Sequence, residues 1–266
     1  MLKSSLPHAL TADCHVHSGF SVDSKESIGR MAEAGIEKGL KYLCFTEQLD
    51  HNPRDFGFGF FDFEKYSRAI DRARTLYGGR ITLLKGIEFG EPHLYKKEFE
   101  RELGRDYDIV LGSMHYLGAE GFFGEKILLE RYPVEKLWEI YFESLMEMVR
   151  FGGFDMQAHF DFPARYYGDG SQYPKMAEEV IRELARKGIA LEINTSGLRK
   201  DLARHLPGPG IIRKFSEAGG SRITFGSDSH SSPEVGSGFE VARESIDGTG
   251  LIPGVFIQRH FQPLER

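Results

Sequence analysis

Residues 12–24 read ADCHVHSGFSVDS: two histidines one residue apart in a short apolar run, with Asp23 just behind them. Side chains alternate along a strand, so His15 and His17 share one face while Cys14 and Val16 share the other. The same type of run recurs at YLCFTE, ITLLKGIEFG, DIVLGSMHY, GFDMQAHF, GIALEINTSG and RITFGSDSH, making about seven strands with amphipathic stretches between them. In ESIGRMAEAGIEKGL, for example, Ile28, Met31, Ala32, Ile36 and Leu40 fall near one face of a 3.6-residue period, and Gly39 stands where a helix stops. Strands separated by helices pair in parallel through right-handed crossovers, which leaves a (β/α) barrel or an open doubly wound sheet. Seven units and no Gly-rich dinucleotide fingerprint favour the barrel, with the histidines pointing in and Cys14 packing outward against helices.

The bulk numbers are compatible with one large unit. At 266 residues the chain lies where barrels remain single domains, so residues 1–266 are expected to form one domain with no linker or repeat dividing it. A net charge of -6 and a pI near 6.0 argue against nucleic acid or a membrane surface as the main partner, because either favours clustered Lys and Arg. Two cysteines, Cys14 and Cys44, make no disulfide framework and suit a reducing cytoplasm. There is no signal-peptide core at the N-terminus and no run of about 18 apolar residues, so a cytoplasmic location is expected. Nothing in the sequence fixes the oligomeric state.

Polar residues able to bind metal collect at the carboxyl ends of the strands: His15 and His17 on the first, Glu47 on the second, Glu88 on the third, His115 on the fourth, His159 on the fifth, and Asp228 with His230 on the seventh. In barrels that end carries the active site. Each residue alone has an ordinary explanation as a hydrogen-bonded core or surface group. Glu88 inside LLKGIEFG and Asp228 inside TFGSDSH are more telling, because a carboxylate in an apolar run is costly unless paired or metal-bound. Neutral imidazole with carboxylate suits zinc, iron or manganese. So many ligands exceed the needs of one ion and point to two or three, a type of centre that hydrolyses phosphate esters. Arg165 in HFDFPARYYG and Arg199 in EINTSGLRK supply the matching phosphate-binding forks. Two Phe- and Gly-rich stretches, QLDHNPRDFGFGFFDF and YLGAEGFFGEKILLERYP, follow strands and read as loops covering substrate.

With these residues in place, the chain resembles the PHP (polymerase and histidinol phosphatase) superfamily, through DCHVHSGFSVDS, CFTEQLDH, GIEFGE, LGSMHY, QAHFDFPARYYG, LEINTSGLRK and FGSDSH. Within it the resemblance is to the monofunctional histidinol-phosphate phosphatases, on EINTSGLRK, the arginine after the fifth strand and the lack of an attached polymerase. The resemblance implies an α/β fold, a distorted (β/α)7 TIM-like barrel with a trinuclear metal centre. Carried over by position, His15, His17, Glu88 and Asp228 would hold a first metal, and Glu88 would bridge to a second held by His115 and His159. His230, Asp23 and Glu47 would hold a third. Many members read Thr-Asp-His or Thr-Glu-His in the second motif, whereas this chain reads TEQ, so Gln48 replaces a histidine, and His51 is a possible substitute.

The implied activity is hydrolysis of L-histidinol phosphate to L-histidinol and phosphate by a hydroxide bridging the inner metals. Arg165 and Arg199 would steady the phosphoryl group, and Asp228 or His230 would pass a proton to the leaving oxygen. The cofactors expected are two to three divalent ions of zinc, manganese or iron, and the partner is a small phosphorylated substrate. The alternatives are a PHP phosphoesterase acting on a nucleotide or another small phosphate ester, or a non-catalytic binding protein on the same scaffold. Glu91 and Asp161 are candidates for reading the imidazole and amine of the substrate.

Overall fold

The computed structural model describes residues 10–118, 120–168 and 174–264. Seven strands stand where the sequence places them: β1 (Ala12–Val16), β2 (Tyr42–Leu49), β3 (Thr82–Gly90), β4 (Ile109–Ser113), β5 (Met156–Gln157), β6 (Ala190–Asn194) and β7 (Arg222–Gly226), each paired in parallel with the next. The crossovers carry α1 (Ile28–Glu37), α2 (Phe63–Tyr77), α3 (Lys96–Leu103), α4 (Lys126–Arg131), α5 (Val134–Phe151), α6 (Ala164–Tyr167), α7 (Pro174–Lys187) and α8 (Pro209–Glu217). Local chemistry sets their ends. The Ser27 hydroxyl accepts from the Arg30 N–H to start α1, Asp62 does the same for Lys65 in α2, and Gly39 takes a φ of 74° just past α1.

The barrel closes where β7 returns to β1. The His17 N–H donates to the Ser229 carbonyl (2.9 Å) and the Asp228 N–H donates to the His15 carbonyl (2.7 Å). The Asp13 carboxylate reinforces this seam from the other face, accepting from the backbone N–H groups of Ser227 and Gly236. Below the seam the strands part, and β8 (Ile252–Ile257) pairs with the start of β7 before turning into antiparallel β9 (His260–Pro263). This hairpin is an addition to the seven expected strands. Its two turn residues, Gln258 and Arg259, have φ of 49° and 66°, a conformation usually announced by Asn-Gly, so no turn signal marks it in the sequence. A short helix, α9 (Phe239–Glu244), precedes it.

Two apolar layers follow from strand alternation. Leu43, Phe45, Ile87, Val110, Leu191 and Phe225 face the helices in one large core. The barrel interior is filled by Ala12, Cys14, Cys44, Leu84, Met156 and Ala190. Cys14 therefore packs inward, which corrects the outward position expected from strict alternation. The reason is a β-bulge: Asp13 opposes Leu43 and Val16 opposes Phe45, so β1 spends three steps where β2 spends two. The extra residue lets Cys14 and His15 both face the interior while Val16 joins the outer core. Among the described residues no helix is long and apolar enough to cross a membrane.

Candidate metal centre

At the carboxyl ends of the strands two groups of buried side chains converge: His15, His17 and Asp228, and Glu88, His115 and His159, with the ligand atoms of each group within 4.8 Å of one another. Glu88 stands between them. Its Oε1 lies 2.7 Å from His159 Nε2 and 3.4 Å from His115 Nε2, while its Oε2 lies 3.4 Å from His15 Nε2 and 3.6 Å from His17 Nε2. Asp228 Oδ1 is 3.5 Å from His17 Nε2. Non-glycine residues rarely take positive φ, yet His159 and Asp228 do so at 25° and 52°, a backbone cost that turns both side chains toward the group.

A further layer orients the rings. His15 Nδ1 meets Glu192 Oε1 at 2.7 Å, His17 Nδ1 meets the Ser21 hydroxyl at 3.1 Å, and His115 Nδ1 lies 3.4 Å from Asp50 Oδ1. Ser21 already donates to Glu47 and accepts from the Gln48 N–H, so its remaining lone pair is left for His17 Nδ1–H. These partners assign the ring protons to Nδ1 and leave lone pairs on the Nε2 atoms, two of which, on His15 and His17, face each other at 3.0 Å. Lone pairs and carboxylate oxygens crowded into a buried site need a cation, and nitrogen with oxygen donors suits zinc and its neighbours. The donor set therefore fits the expected ions. The electrostatics agree: burial opposes charge on Glu88, but His15 and His115 hold its carboxyl well below the usual range. Burial likewise opposes charge on His15, and Glu192 and Glu88 overcome it, raising that imidazole well above its ordinary value; these carboxylates draw a positive charge to Nε2 that a bound ion would supply in place of a proton.

Asp23 and His230 form a third cluster at the rim. Their Oδ2 and Nε2 are 2.9 Å apart, and the His230 ring stacks on His17 at 4.4 Å. Glu47, expected here, lies elsewhere. Alternation along β2 sends Gln48 toward the cavity and Glu47 to the opposite face, where it is fully buried and accepts from the Ser18 N–H, the Ser18 hydroxyl and the Ser21 hydroxyl. His51 packs against Phe89 and Tyr95 and does not line the cavity.

The centre opens into a cavity of about 580 Å³. Arg165 and Arg199 both line it. Arg165 Nη2 donates to Asp228 Oδ2 (2.7 Å) and its guanidinium lies over the Phe162 ring at 4.9 Å. Arg199 Nη2 donates to the carbonyls of Ser227 (2.8 Å) and Asp228 (3.2 Å). Both covering loops reach this space, through Arg54, Asp55 and Phe56 on one side and Tyr116, Phe122 and Glu125 on the other. Glu91 and Asp161 do not. Glu91 accepts from the N–H groups of His115 and Tyr116, and Asp161 pairs with Arg204.

A family model described as the PHP domain matches residues 13–196. The chain belongs to the PHP domain family. Similarity runs over nearly the whole length of several relatives of this PHP chain. It is 31% identical over 256 residues to a protein of Clostridium acetobutylicum named probable histidinol-phosphatase, covering 93% of this chain and 97% of that one. It is 31% identical over 251 residues to the histidinol-phosphatase of Lactococcus lactis subsp. lactis, covering 90% and 91%. Among solved structures it resembles a histidinol phosphate phosphatase of Lactococcus lactis in complex with zinc, L-histidinol and phosphate, with a TM-score of 0.82 and 26% identity, covering 95% of this chain and 98% of that one.

The PHP chain also contains residues that sequence reasoning passed over. Glu192, in LEIN, is fully buried and holds both His15 Nδ1 and the His159 N–H, at 2.7 Å each. Its signal was the one that singled out Glu88, a carboxylate in an apolar strand. Asp50 and Ser21, behind His115 and His17, lie in loop or strand-end positions that carry no such signal.

Proposed function

We infer that this protein is a metal-dependent phosphomonoesterase that hydrolyses L-histidinol phosphate to L-histidinol and inorganic phosphate. The observation that carries the reading is the placement of Glu88, one carboxylate oxygen facing each histidine group, beneath a cavity that Arg165 and Arg199 also line. The Lactococcus lactis structure with zinc, L-histidinol and phosphate supports the substrate. When bound, divalent ions in the two inner groups supply Lewis acidity toward the phosphoryl oxygens and a nucleophile at neutral pH. Zinc is the ion favoured here, one in each inner group, with Asp23 and His230 as the pair for a third.

The chain's own residues do the rest. Arg165 and Arg199 are anchored by Asp228, Ser196 and backbone carbonyls, so their remaining N–H groups are held ready for the oxygens of the transferred phosphoryl group. The leaving alkoxide needs a proton. His230 holds one at neutral pH, because the hydrogen bond to Asp23 and the charge of Asp228 outweigh burial and push its imidazole up to about 9. That proton is available only while no ion occupies the Asp23–His230 pair. Phosphate release from L-histidinol phosphate, assayed with metal analysis of the same sample, tests the reading. Turnover of L-histidinol phosphate ahead of nucleotide monophosphates is expected, and a preference for nucleotides would sink it.

A further inference from the structure

The cavity has two chemically different ends. Its inner end gathers the histidine groups with Arg165, Arg199 and Lys200, a surface for an anion. Aromatic rings lead away from it in a connected row: Phe162 lies 4.9 Å from His159, Phe122 lies 5.9 Å from Phe162, and Tyr116 lies 5.5 Å from Phe122. The row ends at Asp55, whose Oδ2 accepts from the Tyr116 hydroxyl at 2.9 Å.

Two acids of the covering loops line this outer end, and their situations differ. Glu125 is already paired with Arg54 at 3.1 Å. Asp55 makes no ion pair among the described residues, although it is only 7% exposed. Its two hydrogen bonds come from neutral donors, the Tyr116 hydroxyl and the Gly57 N–H (2.6 Å). The loop is shaped around this carboxylate: a Cβ at Gly57 would stand 2.9 Å from Asp55 Oδ1 and 2.8 Å from Val22 Cγ1. Burial and the nearby Asp50 push the Asp55 carboxyl above its ordinary range, a strain that a bound cation relieves.

We propose that Asp55 is the specificity residue of this site and reads a positively charged nitrogen on the leaving group of the phosphomonoester, with the aromatic row covering the atoms between nitrogen and phosphate. This deepens the histidinol phosphate reading and rests on it for the identity of the substrate, but the cation preference can be tested alone. The phosphate end cannot distinguish one monoester from another. A buried carboxylate without a cation can, because a substrate lacking the charge leaves it unpaired.

The test uses the full chain loaded with zinc and a near-isosteric pair, 2-aminoethyl phosphate and n-propyl phosphate. The wild type should favour the aminoethyl ester in kcat/KM by on the order of 10- to 100-fold, the range expected for a hydrogen bond between charged groups. Asp55→Asn should bring that ratio close to one, mainly through KM, and Asp55→Glu should restore part of it. Tyr116→Phe, which removes the hydroxyl holding the carboxylate, should raise KM for the aminoethyl ester more than for the propyl ester, and serves if Asp55→Asn does not fold. A wild type without preference, or variants that affect both esters equally, would overturn the proposal. If the wild type prefers the cationic ester yet ignores L-histidinol phosphate, Asp55 keeps its role and only the substrate reading fails.

Discussion

Glu192 Oε1 lies 2.7 Å from His15 Nδ1, and both side chains are fully buried. The other oxygen of the same carboxylate accepts from the His159 N–H, so one residue of β6 fixes a histidine from each inner group. A glutamine there keeps the shape but must turn its NH2 toward at least one of three donors, the His15 ring, the His159 N–H and the Asn194 amide. Glu192→Gln is therefore expected to weaken zinc binding by about 10- to 100-fold, the usual effect of losing an outer partner of a metal-bound histidine. Competition with a chromophoric chelator measures it, and unchanged affinity would remove Glu192 from the centre.

Arg165 and Arg199 separate experimentally because their anchors differ. Arg199 donates to backbone carbonyls, whereas Arg165 donates to the Asp228 carboxylate. Arg199→Ala should lose on the order of 10²- to 10³-fold in kcat/KM with metal content kept, as expected for a preorganised donor to the transition state. Arg165→Ala should lose both activity and part of the bound metal. Steady-state kinetics alongside elemental analysis decides the matter, and near-normal activity of Arg199→Ala would count against its phosphate role.

The second motif yields a paired prediction. Gln48 lines the same cavity as Asp23 and His230 and donates its amide to Asp50, so Gln48→His should increase the number of ions retained per chain after dialysis against metal-free buffer. Glu47 instead satisfies the Ser18 N–H and two hydroxyls. Glu47→Ala should cost about 1–3 kcal/mol of stability by leaving those buried donors unpaired. Denaturant unfolding measures that loss. Should Glu47→Ala prove as stable as wild type yet retain one ion fewer, Glu47 would be a ligand after all.

His93 makes stability depend on pH. Burial and the nearby Lys96 lower its imidazole from 6.5 to about 4, and its buried Nδ1 has no hydrogen-bond partner. Between those values the unfolded chain binds a proton that the folded chain refuses, so the contribution is intact above pH 6.5 and is lost as pH falls toward 4. Urea midpoints of wild type and His93→Gln, compared at pH 7 and pH 5, should converge or cross on the acid side. A constant difference between them would assign the acid sensitivity to other groups.

Much of this protein was legible in one dimension. Alternating apolar runs and amphipathic stretches specify seven strands with helical crossovers, because side-chain periodicity is set by local backbone geometry. The ligand types were legible for a related reason: Glu88 and Asp228 are carboxylates in apolar strands, and such groups survive only with a partner. Which partner is a question of space. One bulge in β1 sent Cys14 inward beside His15, and the pleat of β2 gave the cavity to Gln48 and turned Glu47 to its serines. Glu192 lies 177 residues from His15, and Asp55 lies 61 from Tyr116. Identity and spacing chose the chemistry; strand register, closure of β7 on β1 and the meeting of two distant loops decided which atoms face one another.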